Sequence, residues 1–238
     1  MVEEKDHAVL SASSSHKWLV CPPSARLEEK FPNKTSEYMA EGTLAHEIAE
    51  FKVKSYFLEP ISKVAYTKRL NKLKKDEKFN EEMLEHTDTY LEFIKGEAMQ
   101  TNARPFIAVE QKVDFSKYVP EGFGTADCIL ISGNTLQVID FKYGKGVKVE
   151  AEENPQMKLY ALGALEQFGM FYDIKKIKMS IIQPRLDNIS TYEIPIGLLL
   201  GWGDAVVKPQ AQKAFMGLGE FKQGEHCRFC KAKRSLRV

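Results

Sequence analysis

The sequence predicts an α/β fold, a central mixed sheet flanked by helices with an added helical layer from the two chain ends. Three observations predict it. A long helical pattern is followed by three strand-like runs, then a second helix and a returning strand. Two of those strands are separated only by Gly133 and Asn134, a hairpin signal because Gly tolerates the positive φ of a two-residue turn. The hairpin is mostly apolar on both faces, as expected of a strand pair covered on both sides rather than a sheet edge.

Taken in order, residues 11–32 read as a short helical entry broken by Cys21-Pro22-Pro23. Gly42-Thr43 opens a helix, with Thr43 as N-cap and Leu44, Ile48, Phe51 and Val53 as its apolar stripe. Residues 60–78 are basic and poorly periodic, which predicts a loop with one helical turn. A long helix over 80–100 places Met83, Thr87, Tyr90, Leu91, Ile94 and Ala98 on one face. Strands are expected at 106–113, 125–132, 135–142, 176–183 and 189–194, with a helix over 154–168. Residues 196–216 read as helical, weakened by Gly201 and Gly203. The 238 residues suit one domain, with a core of about 42–195 against which 1–41 and 196–238 pack together.

Composition narrows the function classes. No apolar run can span a bilayer, and the opening MVEEKDHAVL lacks the basic-then-apolar pattern of a signal peptide, so a cytoplasmic protein without a membrane partner is expected. Four cysteines in such a chain point to metal or core roles more than to disulfides. A net charge of +1 selects no partner, but its distribution is uneven. Lys63, Lys68, Arg69, Lys72, Lys74 and Lys75 occur with no acid among them, and the tail carries Lys222, Arg228, Lys231, Lys233, Arg234 and Arg237 against Glu225. Such clusters can hold phosphates; a solvated helix face or loose tail accounts for either equally well.

The hairpin carries the chemistry. Its two-residue loop sets Ser132 opposite Thr135, Ile131 opposite Leu136, Ile129 opposite Val138, Asp127 opposite Asp140 and Thr125 opposite Lys142. Alternation then puts Asp127, Asp140 and Lys142 on the face of Ile129, Ile131, Leu136 and Val138, with Cys128, Leu130, Ile139 and Phe141 behind. Opposed carboxylates destabilise a sheet unless positive charge sits between them. Two acids and a lysine at the end of an apolar strand pair therefore look like a metal-dependent active site. Mg²⁺ takes hard oxygen ligands, one or two carboxylates plus substrate phosphate, and the Phe141 carbonyl could be a further ligand. Lys142 could position water or offset charge building on a phosphate. Gln156 and Tyr160, four apart on one helical face, suit contact with a phosphate or base, or a polar helix surface with one half-buried Tyr. His46 shares a helical face with Glu50; alone it reads as structural. Glu110, on the preceding strand, could be a further acid at the site but reads rather as a Glu on an exposed strand face, and Cys128 reads as a core residue.

GTLAHEIAE, GTAD, IDFK and QMKLY, in that order between Gly42 and Tyr160, resemble the RecB-like branch of the PD-(D/E)xK nucleases. The resemblance implies a restriction-endonuclease-like core. It also implies His46, Asp127 and Asp140 as Mg²⁺ or Mn²⁺ ligands, Lys142 as the catalytic lysine, and Gln156 with Tyr160 supporting DNA contact and site geometry. The opening SASSSHKWLVCPPSARL and the CRFC tail look like a phage- and prophage-associated subgroup, which implies a DNA exonuclease of phage recombination or processing, with a recombination or helicase protein as an expected partner. Several relatives carry a four-cysteine iron–sulfur site. Cys21, Cys227 and Cys230 match three of its positions, but Leu236 stands where the fourth cysteine falls. This leaves a cluster on three thiolates, Zn²⁺ with His226 as a ligand, or no metal. The competing readings are a non-catalytic nucleic-acid-binding protein with a structural metal at the cysteines, and a phosphodiesterase acting on RNA or a nucleotide.

Overall fold

The computed structural model describes residues 8–32, 37–100 and 104–233. After a 3-10 turn (Ala12–Ser14) come α1 (Ser15–Trp18), α2 (Ser24–Glu28), α3 (Glu37–Phe57), α4 (Lys63–Leu73) and α5 (Glu82–Ala98). Strands β1 (Phe106–Asp114), β2 (Phe123–Ser132) and β3 (Thr135–Phe141) follow, then α6 (Pro155–Phe168), β4 (Lys176–Gln183) and β5 (Asn188–Pro195). α7 (Ile196–Trp202) runs through a π turn into α8 (Lys208–Met216), and a 3-10 turn covers Glu225–Phe229.

The five strands form one mixed sheet in the order β1-β2-β3-β4-β5. Only β3 and β4 are parallel, because α6 carries the chain back across the sheet between them. Each face has its own core. On one side α3 and α5 pack Leu44, Ile48, Val53, Met83, Tyr90 and Ile94 against Cys128, Leu130, Ile139 and Phe141. On the other, Met157, Tyr160, Ala161 and Leu162 of α6 cover Ile129, Ile131, Leu136 and Val138. The six α5 residues expected on one face are the six it buries. Asn154 caps α6, its side chain accepting from the Gln156 and Met157 amides.

Two helices differ from expectation. α3 begins at Glu37, so Thr43 is not its cap; the hydroxyl donates back to the Met39 carbonyl at 3.0 Å, a bond that a Thr inside a helix can make. The stretch expected to be a loop is α4, capped by Ser62, which accepts from the Ala65 amide at 3.2 Å. The inward side of α4 is a short stripe of half-buried Tyr66, Leu70 and Leu73, of which the two leucines pack against the α3–α5 core, and the lysines interleaved with it obscure the period.

The chain ends meet on the α6 side. Arg26 Nε donates to the Phe215 carbonyl at 2.5 Å. Lys17 Nζ lies 2.6 Å from Glu28 Oε2, a buried pair whose acid also accepts the Lys231 amide at 3.0 Å. Arg234, Leu236 and Arg237 lie outside the described residues. Among the described residues, no helix is long and apolar enough to cross a membrane.

Candidate active site

The hairpin follows its expected register from Ser132↔Thr135 to Cys128↔Ile139 and then parts. The expected rungs Asp127–Asp140 and Thr125–Lys142 do not form. β3 stays with β4, through Asp140↔Ile181 and the Lys142 amide on the Ile182 carbonyl at 2.9 Å. Asp127 fills the opening, its Oδ2 accepting the Phe141 amide at 2.7 Å. The β1–β2 ladder loses a rung at the same level, between Val109↔Cys128 and Gln111↔Ala126, where Glu110 adopts a left-handed φ of 51°. Beyond this break the alternation changes phase. Ala126 and Val113 pack in the core of Ile129, where strict alternation would set them on the opposite face. Asp127 and Glu110 thus sit at a seam in the sheet that residues from both of its faces can reach.

Both faces contribute. From α3, His46 Nδ1 lies 3.6 Å from Asp127 Oδ1, its ring packed edge-on to Phe141. His46, Glu110 and Asp127 each bring one donor atom to within 4.8 Å of the others, the only such group among the described residues. From the α6 side, Lys142 Nζ lies 3.1 Å from Asp140 Oδ2 and 3.3 Å from both Asp140 Oδ1 and Gln156 Oε1. Gln156 Nε2 donates to Asp140 Oδ1 at 3.3 Å and to the Tyr160 hydroxyl at 3.4 Å. The sequence-predicted residues therefore converge, in two subclusters. Asp140 is not in the group centred on Asp127, and the part of Phe141 tied to the site is its amide rather than the expected carbonyl. Glu110 is a correction: half-buried in the cluster, not on an exposed strand face.

Charge is short of balance here. Burial pushes the Asp127 carboxyl up, but His46, Lys142 and the Phe141 amide outweigh it and hold the group below the usual range. Burial and the Asp127 charge raise Asp140 despite Lys142. They also push Glu110 up to about 7. For Lys142, burial lowers the ammonium, yet Asp140 and Asp127 prevail and raise it. His46 behaves alike: Asp127 overcomes burial and raises it. Asp140 Oδ2 is buried and accepts no hydrogen bond, since the nearby ammonium lies outside bonding angle. The cluster thus holds two raised carboxyls and one buried carboxylate oxygen that accepts no hydrogen bond.

Two glycines of the recurring sequence pieces behave oppositely. A Cβ on Gly124 would sit 2.7 Å from the Tyr160 ring, so the glycine of GTAD is where α6 lays Tyr160 across β2. Gly124→Ala should cost about 1–3 kcal/mol and weaken the Gln156–Lys142 contact without removing a charge. Thermal melts check it: with Tyr160→Leu added, the loss should be less than additive, and an additive loss would refute the contact. Gly42 lies inside α3 with open space around it. Gly42→Ala should stabilise the protein by about 1 kcal/mol, read as a rise in Tm; a fall would show that the helix needs glycine there.

The family model described as "Protein of unknown function (DUF2800)" matches residues 7–238. The chain belongs to this family. It is also similar to a solved structure titled "Crystal structure of SSO0001", at 15% identity and a TM-score of 0.41, covering 100% of this chain and 88% of that one.

In this DUF2800 chain the other candidate centre joins the two ends. Cys21, Cys227, Cys230 and His226 line one cavity of about 700 Å³ beside Lys17 and Ser24. The Lys222 amide donates to Cys21 Sγ at 3.4 Å, and Cys227 Sγ points to the Lys222 carbonyl at 3.9 Å. All are free thiols. Burial pushes the Cys230 thiol up, with Glu28 beside it. The three sulfurs do not draw together at the spacing of a single ion. Cys128 is wholly buried in the α3–α5 core and takes no part. Sequence reasoning placed the cysteines at one site but preferred an exposed strand face for Glu110 over a place among the site acids; the deciding signal is its position directly across β1–β2 from Asp127, legible only once the strands are paired.

Proposed function

We propose that this protein is a divalent-metal-dependent deoxyribonuclease with a RecB-like PD-(D/E)xK site. The observation that carries the reading is the convergence of His46 from α3, Asp127 and Asp140 from parting strands, and Lys142 with Gln156 and Tyr160 on one polar cluster. Paired acids with a half-buried lysine serve no evident purpose in a protein that only binds.

His46, Asp127 and Glu110 would hold the cation, with the free Asp140 Oδ2 as the next oxygen; this mix of carboxylates and one imidazole fits Mg²⁺ or Mn²⁺. Bound there, the ion supplies Lewis acidity and lowers the pKa of water. The chain supplies the rest. Asp140 and Gln156 fix the Lys142 ammonium from two directions, ready for negative charge developing on a phosphodiester. Tyr160, buried and hydrogen-bonded, holds Gln156 rather than facing solvent.

Exonucleolytic action in phage DNA recombination or processing, with a recombination or helicase protein as partner, follows the family resemblance alone. In the cysteine cavity, a polynuclear iron–sulfur cluster, which spaces its thiolates more widely than one ion does, fits the separated sulfurs better than Zn²⁺. Iron and zinc analysis of the purified protein tests that; a stoichiometric content of zinc alone would reverse it.

The deciding assay is cleavage of linear and circular, single- and double-stranded DNA with Mg²⁺ or Mn²⁺, beside Asp140→Ala. Loss of linear DNA alone, abolished by the substitution, is the expected result. DNA binding without cleavage of any substrate would favour the non-catalytic reading.

A further inference from the structure

α4 is an 11-residue helix whose inward residues, Tyr66, Leu70 and Leu73, are only half-buried, the two leucines against the α3–α5 core. It rests on α3 through a stack of Tyr66 on Phe51, at 4.9 Å between centroids, and through Arg69 over the same ring at 5.3 Å. Its outer side is cationic. Lys63, Lys68, Lys72 and Lys75 are exposed, and none makes an ion pair with any described residue. Lys68 and Lys72 are four apart on one side of α4, about 6 Å along its axis, and Lys75 follows in the turn just after the helix. They line a groove of about 1230 Å³ between α4 and Glu47 of α3, the residue after His46.

That groove continues toward the seam. A second hollow shares Glu47, Arg69 and Leu73 with it and is also lined by Glu50 and Lys54. Glu50 and Lys54 form a 2.5 Å pair and are the charged α3 neighbours that Glu110 feels besides His46. The α3 wall is thus acidic and leads to the cluster, while the α4 wall is a row of unneutralised cations. A chain of negative charges can lie along the second wall and enter the first only where a cation awaits it.

We infer that α4 is a docking rail for the phosphate backbone of a nucleic-acid strand, held by Lys68, Lys72 and Lys75 and led past Glu47 to the His46–Glu110–Asp127 seam. This rests on the nuclease reading for what happens at the end of the rail, but not for the docking itself. Charge complementarity selects the occupant: free cations in a row match a polyanion, and their contacts are with phosphate, so sequence should matter little.

The test uses the whole protein in EDTA, where cleavage cannot occur. Fluorescence anisotropy with a labelled 30-nucleotide single strand and its duplex is recorded from low to moderate salt. Lys68→Gln/Lys72→Gln/Lys75→Gln should bind at least about tenfold more weakly at low salt, with a log–log salt slope shallower by about 2. A control removes three charges from the α6–α8 side of the sheet, Lys117→Gln/Lys208→Gln/Lys213→Gln, and should leave the slope near that of the unaltered protein. Equal slopes for the α4 variant and the unaltered protein would overturn the inference even if DNA is cleaved when metal is present. An α4-dependent slope without metal-dependent cleavage would uphold the rail and sink the nuclease reading. Failure of the unaltered protein to bind either DNA, or binding to phosphatidylserine vesicles instead, would overturn it as well.

Discussion

Lys142→Ala is expected to slow DNA cleavage by about 10²–10³-fold, and Asp140→Ala to lower it at least as far, in assays saturated with Mn²⁺. The two variants should separate in a second readout. Metal that binds only the folded state raises Tm. Lys142 is a cation beside the cluster, so its removal leaves every oxygen and nitrogen donor in place and should preserve or enlarge the Mn²⁺-induced rise. Asp140 offers a buried oxygen with no hydrogen bond, so its removal should shrink that rise. Lys142→Ala also leaves Asp140 without its nearest counter-charge, and Asp140 is already raised by burial. It should answer by taking up a proton rather than by unfolding, so circular dichroism should be unchanged. Near-normal cleavage by both variants would place the chemistry elsewhere in the molecule.

The second large effect is structural. Glu28→Gln should cost about 3 kcal/mol near neutral pH, or roughly 6–12 °C in Tm for a chain of this size. The substitution leaves the Lys17 ammonium buried without a counter-charge where it now lies 2.6 Å from Glu28. It also weakens the bond that the Lys231 amide gives to Glu28 at 3.0 Å, so the chain ends should loosen together. The pH dependence has a definite sign. Burial pushes the Glu28 carboxyl up, but Lys17 and the Lys231 amide override it and hold the group below its ordinary value of 4.5. A depressed acid contributes its stability above the unfolded value and loses it as pH falls through the lower, folded one. The Tm gap between the two proteins should therefore be full at pH 6–7 and close as pH drops below about 4.5. A gap that persisted unchanged into acid would show that shape, not charge, holds the pair.

Much of the site was legible before any coordinates, and the reasons are local. A two-residue Gly133-Asn134 turn sets a hairpin register by itself, and that register held for every rung as far as Cys128↔Ile139. The α5 stripe repeats strongly enough to name its six buried residues. The two helix misses arose within single segments. Thr43 looked like a cap because it follows Gly42, yet Glu37 already begins the helix and Thr43 bonds back to Met39. α4 was hidden because its short stripe of Tyr66, Leu70 and Leu73 is interleaved with lysines and only half-buried.

By itself the sequence determined the α/β class, the hairpin, and the set of side chains with suitable chemistry: His46, Asp127, Asp140, Lys142, Gln156 and Tyr160. Asp127, Asp140 and Lys142 follow from short-range rules of turn length and alternation, whereas His46, Gln156 and Tyr160 joined them only through the resemblance to RecB-like nucleases. Only the tertiary structure decided how they are divided. The strands part because β3 keeps its partner β4 while Asp127 takes the Phe141 amide in place of a rung. The left-handed Glu110 breaks β1 at the same level and turns a strand acid into a third donor beside His46 and Asp127. Phase along a strand is local, but where a sheet loses that phase depends on all its neighbours at once, and no spacing in one segment records it.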